Sequence, residues 1–383
     1  MSAPGTIKNS TFLWSILMYK RIVVKVGTNL LTDGKGIKKA FLKSLVDQLS
    51  RLHAKGKDVI LVTSGAIGMG VKKLGMEKKP TAISEKQAVA AVGQIVLMQA
   101  YETAFTANSI SVAQVLLGHD DIKNKTKNAN ARNTLNKLLE WKVIPVINEN
   151  DTVATEEIKF GDNDTLAGIV GSLVSADMVI ILTSVDGIYD KNPDDHADAK
   201  IIREITDINE AIKNINTDGK TTMGTGGMIT KLEAARKLNY VGIPLAIANG
   251  NAEGVIELIV SGKNGGTIVR QKDTKVGSKK TYILMSLKEK GKIKVDDGAK
   301  TALLTSGKSL LAVGIKSVSG EFNFGDAVEI VDADGNKLGK GITNYSASDI
   351  ALIKGRRNAD IKKDLGDLFY DEVINRDNLF IYK

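Results

Sequence analysis

The sequence predicts an α/β protein with an open, mostly parallel β-sheet inside an αβα sandwich, followed by a small β-rich domain. From residue 19 to about 259, short and nearly all-apolar β-branched segments alternate with longer segments of helical period. After a polar, basic, glycine-containing stretch at 265–280, shorter alternating segments with turn signals take their place. The 383 residues, 43% of them hydrophobic and 25% charged, suffice for two or three soluble globular domains.

Six apolar segments predict the strands of the large sheet, because parallel strands are covered on both faces. They are RIVVKV (21–26), DVILVT (58–63), ISVAQVLL (110–117), KVIPVI (142–147), DMVIILT (177–183) and IPLAIA (243–248). Helical periodicity fills the intervals, for example over 38–56, 84–105 and 126–141. Ligands of such sheets bind beyond the carboxyl ends of the strands, so functional residues are expected in the loops that follow them.

The domain boundaries follow from these changes of pattern. We expect the parts in this order: an extension at 1–18, the α/β domain at 19–265, a linker at 266–277, a small β-rich domain at 278–357 and a tail at 358–383. The DADG at 332–335 predicts a hairpin, and the end of the tail predicts a closing strand. The β-rich domain holds fourteen Lys and Arg against nine Asp and Glu, over half of the chain's net charge of +9.

The first residues contain a short apolar stretch, TFLWSILM, preceded by Lys8. A signal peptide has this order of features, but the stretch is short and no small-residue cleavage site follows it. We therefore favour Met18 as a workable start, with residues 1–17 as a dispensable extension. No apolar run approaches the roughly 20 residues that span a bilayer, so no membrane contact is predicted.

The composition excludes several kinds of chemistry. The chain has no cysteine, which rules out disulfides, thiolate metal sites and a cysteine nucleophile, and which fits a cytoplasmic protein. The three histidines show no metal-ligand spacing, so a zinc site is not expected and no residue is assigned to a metal. The positive net charge favours an anionic partner without choosing between nucleotides, nucleic acid and a membrane surface.

Two predicted strands end in glycine-containing loops. VVKVGTN places Lys25 in the first strand and Gly27 and Thr28 at its end, where free amides and a lysine charge suit a phosphate. VTSGAIGMG places Ser64 and Gly65 after the second strand, where a hydroxyl and an amide suit a carboxylate or phosphate. A solvated lysine and an ordinary Ser-Gly turn are the alternatives. A lysine flanked by valines in a buried strand favours the functional interpretation.

A third glycine loop, GTGGMITK (224–231), leads into a helical segment that begins at Met228 and carries Lys231 one turn in. It does not match the P-loop pattern, and no G-x-G-x-x-G follows the first strand. The three loops together predict a nucleotide phosphate held by separate glycine turns and two lysines.

Residues 148–164, NENDTVATEEIKFGDND, gather six carboxylates and three asparagines in a basic chain. The spacing fails the EF-hand pattern. Asp151 and the final DND lie where a ligand should bind, whereas Glu156 and Glu157 also fit a solvated turn. Carboxylates and amides there suit a small substrate with an ammonium group, and one carboxylate between two lysines would hold their side chains. We predict phosphoryl transfer to an amino-acid-like acceptor; a carboxylate acceptor, with a pKa of about 4, needs no general base.

Six motifs in this order resemble the amino acid kinase superfamily and, within it, the glutamate 5-kinase family: VVKVGTN, VTSGAIGMG, VIPVINENDTVA, GDNDTLAG, LTSVDGIYDKNP and GTGGMITK. The segment from GKIKVDDGAK to FGDAVEI resembles the PUA domain that many glutamate 5-kinases carry. The resemblance runs from about residue 19 to the C-terminus and implies the amino acid kinase fold. It implies that ATP, with Mg²⁺, phosphorylates the γ-carboxylate of L-glutamate to L-glutamyl 5-phosphate, the first step of proline biosynthesis.

The resemblance also implies roles for particular residues. Lys25 and Lys231 are expected to stabilise the transferring phosphoryl group, with Asp164 orienting them. The residues that it assigns to glutamate are Ser64, Gly65, Asn148, Asp151, Asp162 and Asn163. The residues that it assigns to the nucleotide are Lys25, Gly27, Thr28, Thr183, Ser184, Thr225, Gly226, Gly227, Met228, Ile229, Thr230 and Lys231. Some family members carry aspartate where this chain has Ser184, so that contact differs here.

The family resemblance further implies feedback inhibition by proline, assembly into homodimers or homotetramers, and handover of the product to glutamate-5-semialdehyde dehydrogenase. Two alternatives stay open. A sister enzyme, such as an acetylglutamate or aspartate kinase, would keep the fold, and only the β-rich domain and the INEND and GDND motifs argue against it. An RNA-binding protein would use the basic β-rich domain, whose aromatic candidates, Phe322, Phe324 and Tyr345, do not cluster as a stacking platform in the sequence.

Overall fold

The computed structural model describes residues 19–33, 36–154, 163–191, 193, 195–217, 227–272, 276–365 and 370–382. The chain forms two compact units, Met1–Asp273 and Thr274–Lys383. Their boundary lies inside the segment 266–277 that the sequence assigns to a linker. The predicted extension at 1–18 lies outside the described residues.

The first unit is built on a large, mostly parallel sheet. Its strands are β1 (Arg21–Val26), β2 (Asp58–Val62), β3 (Val112–Leu117), β4 (Ile144–Glu149), β5 (Met178–Thr183), β6 (Ile188–Tyr189), β7 (Ile201–Ile202), β8 (Glu204–Ile205), β9 (Leu245–Asn249) and β10 (Thr267–Val269). Among the described residues eight of these form one sheet in the order β3-β4-β2-β1-β5-β9-β10-β8, and β6 pairs with β7. The six predicted strands are thus confirmed, each within two residues at either end.

The helices of this unit lie on both faces of the sheet. They are α1 (Thr28–Leu31), α2 (Lys39–Ala54), α3 (Ala66–Lys73), α4 (Ile83–Thr106), α5 (His119–Lys123), α6 (Lys125–Glu140), α7 (Asn163–Leu173), α8 (Ile208–Thr217), α9 (Gly227–Tyr240) and α10 (Val255–Val260). Side chains alternate across a strand, so Val24 and Val26 join a core with α2 and α4 while Lys25 turns to the other face. There α7 packs against β1 and β5, and α9 packs against α7. This alternation directs Lys25 towards α7.

One end of the predicted linker belongs to the sheet instead. Thr267–Val269 forms β10, which pairs antiparallel with β9 and parallel with β8. The Thr267 hydroxyl donates to the Ile202 carbonyl and accepts from the Ile188 amide. Three residues are too few to show a strand period in a basic, glycine-flanked context, so the sequence pattern concealed this strand.

The second unit contains a five-stranded sheet among its described residues, in the order β12-β11-β13-β14-β15. Its elements are α11 (Ser278–Ser286), β11 (Gly291–Val295), α12 (Asp297–Ser306), β12 (Ile315–Gly320), β13 (Ala327–Val331), β14 (Lys337–Ile342), α13 (Ala347–Ile353), α14 (Asn358–Leu365) and β15 (Leu379–Ile381). The hairpin at 332–335 and the closing strand are confirmed. Residues 351–355, ALIKG, have the alternating pattern of a short strand in the sequence, but they end helix α13, which a Ser346 capping box begins.

Helix α4 corrects the expectation that no segment is long enough to span a membrane. Among the described residues it is the one helix whose length and composition would allow a crossing. Its Leu97, Tyr101 and Phe105 side chains are fully buried in the core of the first unit. One face of α4 therefore packs into the core, while only 33% of its apolar window is buried.

Candidate active site

Two lysines and one aspartate form a buried ion cluster at the carboxyl end of β1. Lys25 Nζ lies 2.5 Å from Asp164 Oδ1, and Lys231 Nζ lies 2.7 Å from Asp164 Oδ2. The exposed fractions are 4% for Lys25, 9% for Lys231 and 0% for Asp164. Buried charges are stable only when they are paired, so the shared carboxylate explains how two lysines can lie inside the fold. The cluster keeps one excess positive charge, which suits an anionic ligand.

Three separate elements bring this cluster together. Lys25 is in the centre of the sheet, since β1 pairs with β2 on one side and β5 on the other. Asp164 is in the first turn of α7, and Lys231 is in the second turn of α9. The sequence predicted all three as catalytic residues, and the structure places their charged atoms within ion-pair distance of one another.

Gly27 leaves space above the cluster. A Cβ atom built there would lie 3.8 Å from Lys25 Nζ, so any side chain would occupy the approach to that ammonium group. The φ angle of Gly27 is −77°, which all residues adopt, so space and not backbone conformation accounts for glycine at this position.

A cavity of about 710 Å³ opens beside the ends of β2 and β4. Its lining includes most of the residues predicted to hold glutamate: Ser64, Gly65, Asn148, Asp151 and Asn163. Gly65 has φ of +107°, a left-handed conformation that favours glycine, and it precedes the first residue of α3. The cavity also has residues that the sequence analysis missed, among them Thr32, Lys79 and Lys86. Neither Lys79 nor Lys86 could be predicted as a cavity residue from the sequence, because both lie far along the chain from the ends of the predicted strands.

Hydrogen bonds between side-chain amides organise the inner wall of this cavity. Asn163 Nδ2 lies 2.6 Å from the Thr63 carbonyl, 2.7 Å from Ser64 Oγ and 3.0 Å from Asn148 Oδ1. Asn148 in turn donates through Nδ2 to Gln94 Oε1 at 2.9 Å. Since Ser64 Oγ accepts from Asn163, its own proton is directed elsewhere and can serve a bound carboxylate.

A buried tyrosine supports the same wall from behind. The Tyr101 and Thr63 hydroxyls lie 2.8 Å apart. Burial raises the pKa of Tyr101 above its ordinary value, so this phenol stays neutral. Its contribution is therefore structural support for the strand end that carries Ser64.

The predicted nucleotide residues lie along the adjoining strand ends. Thr183 is the last residue of β5, Ser184 follows it exposed, and Thr28 begins α1 and lines the cavity. At the end of the neighbouring strand β9, Asn249 donates to Asp186 Oδ1 at 2.8 Å, a link that the sequence analysis did not predict. Gly227, Met228 and Thr230 are in the first turns of α9.

Some predicted site residues lie outside the described part of the chain. These are Asp162, Thr225 and Gly226, together with the two glutamates Glu156 and Glu157 and the side chain of Ile229. Their placement stays a prediction.

Comparison with known proteins identifies both parts of the chain. Residues 20–249 match the amino acid kinase family, and residues 291–365 match the PUA domain. The chain is 45% identical to the glutamate 5-kinase of Caldanaerobacter subterraneus subsp. tengcongensis, over 94% of this chain and 97% of that one. It is 44% identical to the glutamate 5-kinase of Dictyoglomus thermophilum, over 95% of this chain and 98% of that one. The structure of UMP kinase from Ureaplasma parvum aligns with 66% of this chain and 99% of that one, with 21% identity and a TM-score of 0.47.

Proposed function

The chain belongs to the amino acid kinase family, and from this premise we propose that it transfers the γ-phosphoryl group of ATP to the γ-carboxylate of L-glutamate. The product is L-glutamyl 5-phosphate, and the role is the first step of proline biosynthesis. One observation carries the proposal: the Lys25–Asp164–Lys231 cluster adjoins a cavity of amides and carboxylates in a chain whose relatives are glutamate 5-kinases.

We assign the cluster to the transferring phosphoryl group. Phosphoryl transfer depends on positioning and on the neutralisation of charge that spreads over the phosphate oxygens. Lys25 and Lys231 approach from opposite sides of Asp164, which holds both ammonium groups ready before the nucleotide binds. Such preorganised charges cost no rearrangement during the reaction. The acceptor carboxylate is already ionised at neutral pH, so no base needs to remove a proton.

We assign the cavity to glutamate. Asp151 and the Asn163 carbonyl oxygen would accept from the substrate ammonium group, while Ser64 and the Gly65 amide would bind a substrate carboxylate. Asn148 and Asp162 complete the assignment. An acylated amino group would lose its charge and two of its protons, so this donor set favours a free amino acid over an N-acetylated one.

The nucleotide would lie along the ends of β1, β5 and β9. Gly27, Thr28, Thr183 and Ser184 would border it, together with the loop Thr225 to Lys231. Mg²⁺ would bind together with the nucleotide phosphates and would help to neutralise their charge. Within the described ranges no group of three or more His, Asp and Glu side chains converges. The ion would therefore take most of its ligands from the nucleotide and water.

We further propose a cytoplasmic enzyme that is inhibited by proline, assembles into dimers or tetramers, and hands its product to a dehydrogenase. The labile acyl phosphate supports the handover. Helix α4 supports assembly, because its exposed Ala88, Ala91 and Ile95 lie on one face at helical spacing. Sedimentation of the full chain with and without proline tests both assembly and inhibitor binding.

RNA binding by the second unit is a further candidate function, supported by one observation. Phe324 and Tyr370 are 61% and 56% exposed, and their rings stack with centroids 5.6 Å apart. Phe322 and Tyr345, two of the aromatic candidates from the sequence, are buried in the core, and Tyr370 in the tail was not among those candidates. Exposed stacked rings on a basic unit suit unpaired bases. Binding of single-stranded RNA that weakens with salt and with Tyr370→Ala would support this; no binding at low salt would end it.

Hydroxylamine trapping of an acyl phosphate tests the enzymatic proposal. The protein is incubated with ATP and Mg²⁺, and L-glutamate, N-acetyl-L-glutamate and L-aspartate are offered in parallel. Hydroxamate from glutamate alone is the expected result. Product from another acid would keep the mechanism and assign the chain to a sister enzyme, and no product from any acid in a folded protein would refute the kinase assignment.

A further inference from the structure

Gln94 is a buried amide on α4 that no motif singled out. Its side chain is 8% exposed, and it does not line the cavity but lies behind Asn148. Gln94 Oε1 accepts from Asn148 Nδ2, whereas no described residue pairs with Gln94 Nε2. An apolar side chain at this position would leave the buried Asn148 NH₂ group without this acceptor. The benefit of Gln94 is therefore tied to its hydrogen bond with Asn148.

The benefit lies in the direction of the hydrogen bonds that connect Gln94 with the cavity. The Thr63 backbone carbonyl can only accept, so it fixes Asn163 with its NH₂ group towards the protein. Asn148 Oδ1 accepts from the same NH₂ group, which directs the Asn148 NH₂ group towards Gln94. Gln94 Oε1 then receives that NH₂ group and completes a chain in which every amide has one allowed orientation.

This chain determines which atom Asn163 presents to the cavity. With Asn163 Nδ2 occupied by three protein oxygens, its Oδ1 remains, and no described residue donates to it. A carbonyl oxygen beside Asp151 in the lining suits a substrate ammonium group. If Asn148 turned over, its NH₂ group would meet the NH₂ group of Asn163, so Asn163 would lose one of its three acceptors and be pushed away from the position in which its Oδ1 is presented.

Close helix packing keeps Gln94 in place. A Cβ built at the neighbouring Gly93 would lie 1.8 Å from the Ala66 carbonyl, so only glycine allows α4 to approach α3 this closely. Gly70 on α3 meets Val89 on α4 in the same way. The position of Gln94 relative to the Ser64 loop is therefore set by backbone contact, which is the rigidity that a positioning residue requires.

We propose that Gln94 is a positioning residue for substrate recognition: it holds Asn148, and through it Asn163, so that Asn163 Oδ1 faces the ammonium group of the amino-acid substrate. This inference rests on the proposed function. Gln94 contacts neither the nucleotide cluster nor the reacting carboxylate in this scheme. Its loss therefore weakens binding of the amino acid in the ground state and transition state alike.

The test compares Gln94→Met, which removes the acceptor, with Gln94→Glu, which retains an acceptor oxygen in nearly the same shape. Gln99→Met is the matched control, because Gln99 is exposed on the same helix. Gln94→Met is expected to raise KM for L-glutamate about tenfold, with KM for ATP and kcat changed less than about twofold. Gln94→Glu is expected to restore most of the affinity, and Gln99→Met to match the wild type.

Three results would overturn the inference. They are an unchanged KM for glutamate in Gln94→Met, an equal rise in KM for ATP, and a Gln94→Glu variant no better than Gln94→Met although thermal melting shows both folded. If the wild type itself makes no hydroxamate from L-glutamate, the proposed function fails and this role fails with it. A wild type that is active beside an unaffected Gln94→Met refutes the role of Gln94 alone.

Discussion

Asp164 in the first unit and Asp332 in the second are 0% and 2% exposed, each is paired with lysine, and the two are held in opposite ways. Asp332 receives the Asp334 and Asn336 amides on Oδ1 and the Asn336 side chain on Oδ2, all from its own turn. Among the described residues, only Lys300, at 2.8 Å, reaches it from another element. Asp164 has both of its lysines from distant elements, Lys25 from β1 and Lys231 from α9.

This difference in partners implies a structural role for Asp332 and a ligand-binding role for the cluster around Asp164. The turn around Asp332 satisfies the carboxylate locally, and hydrogen bonds from Lys300 and Asn336 hold the pKa of Asp332 well below its usual range. That carboxylate has little left to offer a ligand. The two lysines at Asp164 can exchange part of their interaction for a phosphate, because Asp164 leaves them with excess positive charge. We therefore interpret the Lys25–Asp164–Lys231 cluster as a proposed ligand site and Asp332 as a structural part of its turn.

Replacing Lys231 with alanine should have the largest effect. The substitution removes one of the two charges that we assign to the transferring phosphoryl group, while Asp164 keeps its pairing with Lys25. We expect kcat to fall by about 100- to 1,000-fold with the fold intact. Hydroxamate formation and circular dichroism measure the two quantities. Lys73→Ala, at an exposed position on α3, is the control, and a folded Lys231→Ala enzyme with a near-normal rate would remove this lysine from the mechanism.

Asp164→Asn should reduce both activity and stability. Two buried ammonium groups would lose their shared anion, which costs about 3 kcal/mol in the free energy of unfolding. ATP should return part of this stability, because its phosphates supply the missing negative charge. Urea unfolding with and without ATP tests the idea. Equal destabilisation in both conditions would mean that the nucleotide phosphates bind elsewhere.

The same contrast explains which features could be predicted from the sequence. The residues that stabilise the DADG turn lie within five residues of one another, so the sequence alone predicts its hairpin. The sequence also predicts Lys25 and Ser64 as site residues, because an apolar strand ends beside each of them. Asp164 received its role from a family resemblance, since no local pattern says which lysines will approach it.

The role of Gln94 could not be predicted from the sequence for a related physical reason. It follows a glycine on an otherwise apolar helix, and the sequence does not show that Gly93 brings the backbones of α3 and α4 together. Similarly, Thr267–Val269 is a strand only because β8 and β9 lie on both sides of it. Features that depend on two or more distant elements need the structure.

Asp332→Asn should act on stability alone. The variant places an NH₂ group against Lys300 and the Asn336 amide, so the melting temperature should fall by about 5 °C at pH 7 with kcat and both KM values unchanged. The folded pKa of Asp332 is lowered, so its charge stabilises the fold above the unfolded pKa of about 4, and this contribution is lost as the pH falls further. The gap in melting temperature between wild type and variant should thus be constant from pH 8 to about 5 and narrow below about 4. A gap independent of pH, or a changed kcat, would contradict the structural role.

Lys300→Met should have the smallest effect on the melting temperature. It tests whether Asp332 is held by hydrogen bonds within its own turn or by the distant lysine. The Lys300 side chain is 36% exposed, so its attraction to Asp332 is screened by solvent and pays the entropy of a long side chain. The three hydrogen bonds within the turn remain in this variant. We expect a melting temperature about 1–2 °C below that of the wild type at low salt, approaching the wild-type value near 1 M NaCl, where the screening length is about 3 Å. Lys308→Met, at an exposed position on the same unit, is the matched control. If Lys300→Met were as damaging as Asp332→Asn and insensitive to salt, Asp332 would depend on a distant lysine as Asp164 does, and the distinction between the two aspartates would fail.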